Sequence, residues 1–312
     1  MCFYYKIVKG SSKMIVYGVE VLSDTPFPLH LPQEGIVSRT CYLYQLHTKL
    51  PFSKDSLGKK IFLHTAHGRE IFFYHKSKQM ATPTHNELLC YEVENVLRFY
   101  WHFGSSTLYY EKGKHYTPTL LAFWFIHMFF PLYLTLESHY QMLHANALEV
   151  KGHLFMLSAP YQGGKSTLAS YFIEKGHHLI SDDVLPTNIH NQHLVCHSAF
   201  PYHHTFRQAE SLGSYTQNFK ATSAPIEVIY FLKKNPSTCE KISIVPTKGI
   251  EKFKLLKENS LLYSFQLNRQ KEDAFLFELL KHVQVFTLSR PWGTQHLDAV
   301  YHAIIAHQKT LF

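Results

Sequence analysis

The sequence predicts an α/β fold in two parts, a β-rich N-terminal domain over 1–116 and an α/β domain over 117–312. Three observations predict it. Short aromatic and β-branched runs punctuated by Pro, Gly and Ser fill the chain before Tyr116, a strand-loop-helix unit spans 153–175, and two adjacent acids close the strand that follows. At 312 residues the chain is long enough to bury a substantial core and to divide. With 46% apolar, 15% aromatic and 17% charged residues it is an ordered globular chain rather than a solvated tail.

In the first part, Met14-Ile-Val-Tyr-Gly18 and Ile61-Phe-Leu-His64 typify the strands, and no catalytic constellation accompanies them. Holding a protein substrate, forming an oligomer and covering the sheet of the second domain are the roles open to this domain. The opening residues Met1 to Lys6 lack the basic start and continuous apolar stretch of a secretory leader. Five cysteines, at 2, 41, 90, 196 and 239, are odd in number and have no paired metal spacing. Both features predict reduced thiols and a cytoplasmic protein. Leu120 to Leu136 is 17 residues of mostly Leu, Phe, Trp, Met and Tyr. A membrane-spanning helix needs about 20 apolar residues, and His127 and Pro131 interrupt this one, which predicts a core helix broken at the proline. No integral membrane segment is expected, and peripheral contact stays open.

The second domain carries the chemistry. His153 to Leu157 reads as a buried strand, and Ser166 to Lys175 reads as a helix stopped by Gly176. Between them lies Ala159-Pro-Tyr-Gln-Gly-Gly-Lys165-Ser166-Thr167, which fits the phosphate-binding loop with Ala159 in place of the pattern's first glycine. A triphosphate needs several donors converging without obstruction, and a glycine-rich turn at a helix N-terminus supplies backbone N–H groups and a favourable dipole. Gly163 and Gly164 are expected to let the backbone approach closely. Lys165 is expected to reach the terminal phosphates, Ser166 to complete a magnesium coordination sphere, and Thr167 to add a donor at an inner phosphate. After a short strand at 177–180 come Asp182 and Asp183, 17 and 18 positions beyond Lys165. Neighbours on a strand point to opposite faces, so one acid can serve a metal while the other faces an acceptor hydroxyl.

The remaining segments complete an α/β domain. His190-Asn-Gln-His193-Leu-Val-Cys196-His197 reads as a hairpin turning at Asn191-Gln192, with its histidines facing solvent rather than a metal. Glu227 to Leu232 and Val283 to Leu288 read as strands, and Glu272 to Lys281 and Leu297 to His307 as core helices. Lys248, Lys252, Lys254 and Lys257 read as a solvated face, and Lys281 and Arg290 as charged ends of core elements. The net charge of +8 suits acidic partners, but no nucleic-acid-reading motif accompanies it, and none is expected to bind.

The run from His144 to Val184 resembles the core of the HPr kinase/phosphorylase family. A histidine 21 positions before the loop lysine, as His144 stands to Lys165, and an aspartate pair 17 and 18 positions after it match that family in register. Further on, 199–207, 227–232 and 282–291 look more like HPr-kinase-related proteins than true HPr kinases, which also carry a Glu-x-Arg-Gly signature that this chain lacks. Arg207 is the nearest basic residue available to touch phosphate, and Glu210 is a candidate for the missing acid. The resemblance implies a P-loop kinase domain of the HPr-kinase C-terminal type that uses ATP and Mg2+. It implies further that Lys165 and Ser166 bind phosphate and magnesium, that Asp183 accepts the proton of a serine hydroxyl, that His144 completes the catalytic group, and that Asp182 assists the metal. The expected partner is a serine-containing protein or peptide, with a homo-oligomer in view. A nucleotide-sensing module without transfer and a kinase for free serine or a sugar are the alternatives left open.

Overall fold

The structure is a computed structural model that describes residues 12–47, 51–76, 83–160, 162–204, 208–236, 240–260 and 269–312. The chain forms two compact units, one built on the residues up to His139 together with 208–212, the other on 140–204, 213–260 and 269–312. The division falls at His139/Tyr140, later than the 116/117 expected from the sequence.

The first unit holds an eight-stranded sheet of β1 (Ser12–Val16), β2 (Val19–Ser23), β3 (Arg39–Gln45), β4 (Lys59–Ala66), β5 (Arg69–His75), β6 (Leu88–Val93), β7 (Leu97–His102) and β8 (Thr107–Lys112). Their order is β1-β2-β3-β8-β7-β6-β5-β4, antiparallel except where β3 pairs with β2 and β8. The apolar helix α1 (Pro118–Leu136) belongs to this unit because its aromatic side chains pack on the sheet. Phe99 and Trp101, two apart on β7 and so on one face, meet Phe129 at ring-centroid distances of 4.3 and 5.4 Å. The helix has the length and apolarity to cross a membrane, and 78% of its apolar window is buried inside the fold. It is not broken at Pro131. A π-helical turn, Trp124–Phe129, precedes the proline, and the Phe130 N–H donates to Phe125 O, five residues back. The widened turn lets the helix run through a residue that lacks an N–H and crowds the carbonyl four residues earlier.

The second unit holds β9 (Gln141–Leu143), β10 (Asn146–Val150), β11 (His153–Ser158), β12 (His178–Ser181), β13 (Leu185–His190), β14 (His193–His197), the two-residue pair β15 (Tyr202–His203) and β16 (Ser214–Tyr215), β17 (Ser223–Lys234), β18 (Ser243–Pro246) and β19 (Gln284–Arg290). Its helices are α2 (Lys165–Glu174), α3 (Gly249–Glu258), α4 (Arg269–His282) and α5 (Leu297–Leu311). The strand order is β12-β10-β11-β17-β14-β13-β9, with β19 pairing on β17 and β18 on β19. Strand β11 is buried on both faces. Phe155 and Leu157 join a core with Leu168 and Phe172 of α2 and Val300 and Ile304 of α5, while Leu154 and Met156 join one with Leu256 of α3 and Leu276 and Leu279 of α4. Helices on both faces of a partly parallel sheet give the α/β layering expected from the sequence.

Two local expectations change. The hairpin turns at Asn191 and Gln192, both with positive φ, but His197 faces inward, where its ring nitrogens meet Ser223 Oγ at 2.7 Å and Asn188 Oδ1 at 3.2 Å. Lys252 is not on a solvated face. Its ammonium donates to Leu280 O and Val283 O at 2.6 and 2.7 Å, so it caps the C-terminus of α4.

Candidate functional site

The topology gathers chemistry at one edge of the second sheet. Strands β11, β17 and β19 run parallel, and β12 runs with them because β10 is antiparallel to both β11 and β12. Their carboxyl ends therefore share an edge with the start of β10, the position at which open α/β sheets bind ligands. That edge carries the glycine-rich loop after β11, Asp182 and Asp183 after β12, His144 and Asn146 at the entry to β10, and Arg290 at the end of β19.

The loop is shaped by two glycines doing different work. The Gly163 N–H donates to Pro160 O at 2.8 Å, which closes a tight turn, and a β-carbon at Gly163 would stand 2.6 Å from Ala159 Cβ. This glycine serves the turn's own closure. Gly164 is the N-cap of α2 in the left-handed region, with φ of 78°. A β-carbon there would lie 2.4 Å from Arg290 Nη2 and 3.5 Å from Trp292 Cη2. Among the described contacts no side chain caps α2. The amides of its first turn, through Lys165, Ser166 and Thr167, are thus the donors available to an anion.

Three predicted residues meet at one atom. Lys165 Nζ donates to Asp183 Oδ1 at 3.0 Å, and His144 Nε2 lies 2.7 Å from the same oxygen. Lys165 is buried, with 6% of its surface exposed, so its ammonium is committed to this cluster and to whatever anion joins it. Asp183 is aimed by a strained turn. The Val184 N–H donates to Asp182 O at 2.7 Å, which makes Asp183, at φ of 66°, the centre of a three-residue turn. A non-glycine residue held at such φ costs about 1–3 kcal/mol and is typical of functional sites. The two acids are therefore divided by this turn and not by strand alternation, since β12 ends at Ser181.

Asp182 is buried at 2% exposure. Asn146 Nδ2 donates to its Oδ1 and the His204 N–H to its Oδ2 at 2.7 Å. Asn146 Oδ1 is itself buried and has no donor among the described residues. Among the described residues no three His, Cys, Asp or Glu side chains form a metal cluster. Ser166, Asp182 and the orphaned Asn146 oxygen are hard oxygen donors, which suit a magnesium ion completed by phosphate and water.

Of the other expectations, Arg207 lies outside the described residues. Glu210 stands in the first unit, where it accepts from Arg69 Nε at 3.1 Å, Arg69 Nη2 at 3.2 Å and Trp124 Nε1 at 2.9 Å. The acid proposed in place of the missing signature is thus spent on a structural ion pair. Sequence reasoning passed over Asn146 and Trp292. The His-Ala-Asn spacing entering β10 was the signal for the first, and Arg-Pro-Trp-Gly at a strand's carboxyl end for the second. Arg290, read as a charged strand end, reaches the loop itself: its Nη2 donates to Gly163 O at 2.9 Å.

No family model matches the chain, and no curated protein matches it. Among solved structures it is similar to the HPr(Ser) kinase/phosphatase from Coxiella burnetii at 16% identity, over 55% of this chain and 92% of that one, with a TM-score of 0.35.

Proposed function

We propose that the second unit is an ATP-dependent serine kinase acting on a protein or peptide. The convergence of Lys165 and His144 on Asp183 Oδ1, beside an uncapped helix N-terminus, is the observation that carries this reading. The amides of the first turn of α2 bind the phosphates. Lys165 neutralises charge on the phosphoryl group in flight, and Asp183 takes the proton from the serine hydroxyl as its oxygen attacks the γ-phosphorus and the bond to the β-phosphate oxygen breaks. His144 holds the carboxylate in line and shares the incoming proton. Ser166 and Asp182 would hold a magnesium ion, which supplies charge neutralisation when bound. The serine acceptor is the part of the reading that the likeness to HPr kinases supplies.

The test is transfer from γ-labelled ATP with magnesium to serine-containing proteins of a source lysate and, in parallel, to free serine. We expect label on a protein serine with wild type and none with Lys165→Ala. Asp183→Asn should lower the rate by about 10²- to 10⁴-fold, the usual contribution of a positioned base. Tight ATP binding with no transfer to any acceptor would point to a nucleotide-sensing module instead.

A further inference from the structure

The phosphate loop lies after β11, which stands between two flanks of the sheet, β10 and β12 on one side and β17 and β19 on the other. The first flank carries Asp183 and His144. The second carries a different set. Arg290 ends β19 opposite Lys234, which ends β17, in the parallel register. Trp292 follows two residues later, and its ring has the Arg290 guanidinium carbon at 5.3 Å from the centroid and Lys234 Nζ at 5.1 Å.

Arg290 is 4% exposed, and among the described residues no carboxylate pairs with it. Its Nη2 donates to Gly163 O, Nη1 lies 3.5 Å from Pro291 O, and Nε is buried with no partner among the described residues. A buried cation with an unsatisfied donor, set against a loop built for anions, calls for a negative ligand. Trp292 has the opposite character. It keeps 45% of its surface in water at the rim of the loop, within reach of Gly164, and the ammonium on its ring belongs to an exposed lysine that can be displaced.

Resting on the nucleotide reading above, we propose that Trp292 is the nucleobase platform of this site and that Arg290 links the platform to the phosphates. The donor nucleotide runs from the loop toward β19, its base stacked on Trp292, so that its terminal phosphate points to Asp183 and the acceptor enters from the β10 and β12 flank. Lys234 leaves the ring face for the solvent or the phosphates when the base arrives. This polarity gives the acidic cluster and the cation–aromatic cluster separate work, one toward the acceptor and one toward the donor.

Calorimetric titration with ATP and with inorganic tripolyphosphate, each with magnesium, separates base from phosphate. Stacking of a base on an aromatic ring is worth roughly 5- to 150-fold in affinity. Trp292→Ala should weaken ATP by that factor and leave tripolyphosphate within about twofold, and Trp292→Phe should restore most of the loss. Trp292 is exposed, so both variants should keep the wild-type circular dichroism and melting temperature. Equal weakening of both ligands, or none of either, overturns the platform while leaving nucleotide binding in place. Failure of wild type to bind either ligand overturns the nucleotide reading and the platform with it.

Discussion

Asp183 is held by opposing demands. Its backbone is strained, and its carboxylate is the counter-charge of a buried lysine. Removing the charge leaves the Lys165 ammonium with an amide in place of an anion, and breaking a buried pair in this way costs about 3–5 kcal/mol. A bound triphosphate restores the missing negative charge. Asp183→Asn is therefore expected to bind ATP no more weakly than wild type, and to gain more melting temperature from saturating ATP than wild type does. Asparagine tolerates positive φ, so the turn survives the exchange and the comparison stays local. A variant that loses ATP affinity would mean that Asp183 holds the ligand through a cation and does not act as base. Lys165, Asp183 and His144 were legible in sequence because they are three separated positions in register with one loop. The turn that aims Asp183 was not legible. An Asp-Asp-Val segment carries no glycine or asparagine to mark a positive φ, so only tertiary context shows it.

At the scale of elements, the apolar pattern and its punctuation were a sound guide to short segments, and a poor one where packing overrode a local rule. The strand His153–Ser158 and the helix Lys165–Glu174 stand where the pattern put them, because a short continuous apolar run suits a strand buried on both faces and a glycine marks the end of the helix. Helix α1 runs through Pro131 since a π turn absorbs the clash, and no residue pattern announces such a turn. Its apolarity is core burial. Phe129, stacked on Phe99 and fully buried, should cost about 3–5 kcal/mol when cut to alanine, read as a lowered urea midpoint for the transition reported by Trp101 and Trp124. The loop element makes a sharper prediction. Gly163→Ala forces a β-carbon within 2.6 Å of Ala159 Cβ and 2.8 Å of Pro160 O, both of them parts with nowhere to retreat. Overpacking of this kind costs about 1–3 kcal/mol. The turn should open, and calorimetry should show ATP affinity reduced by at least about tenfold, the equivalent of 1.4 kcal/mol. Unchanged ATP affinity would show that the turn is not part of the phosphate site.

At the scale of the whole molecule, each compact unit holds a histidine whose protonation burial strongly opposes. His197 in the second unit is pushed down to about 4 by burial, its ring engaged by Ser223 and Asn188 and packed 4.5 Å from the Tyr140 ring centroid. His139 in the first is pushed down to about 4 by burial and by the Arg39 guanidinium that it meets. Above about pH 6.5 both imidazoles are neutral in the native and unfolded chains alike, and stability is complete. As pH falls from 6.5 toward 4 the unfolded chain takes up protons that the native fold refuses, so stability drops, by an order of 3 kcal/mol for a site as buried as His197. The urea midpoint should therefore fall steadily between pH 6.5 and 4, and His197→Gln should flatten that slope, because glutamine keeps the hydrogen bonds to Ser223 and Asn188 without titrating. A midpoint constant across this range would show that His197 takes up its proton in the native state at ordinary cost, and that the burial of this hairpin histidine does not govern the acid limit of the fold.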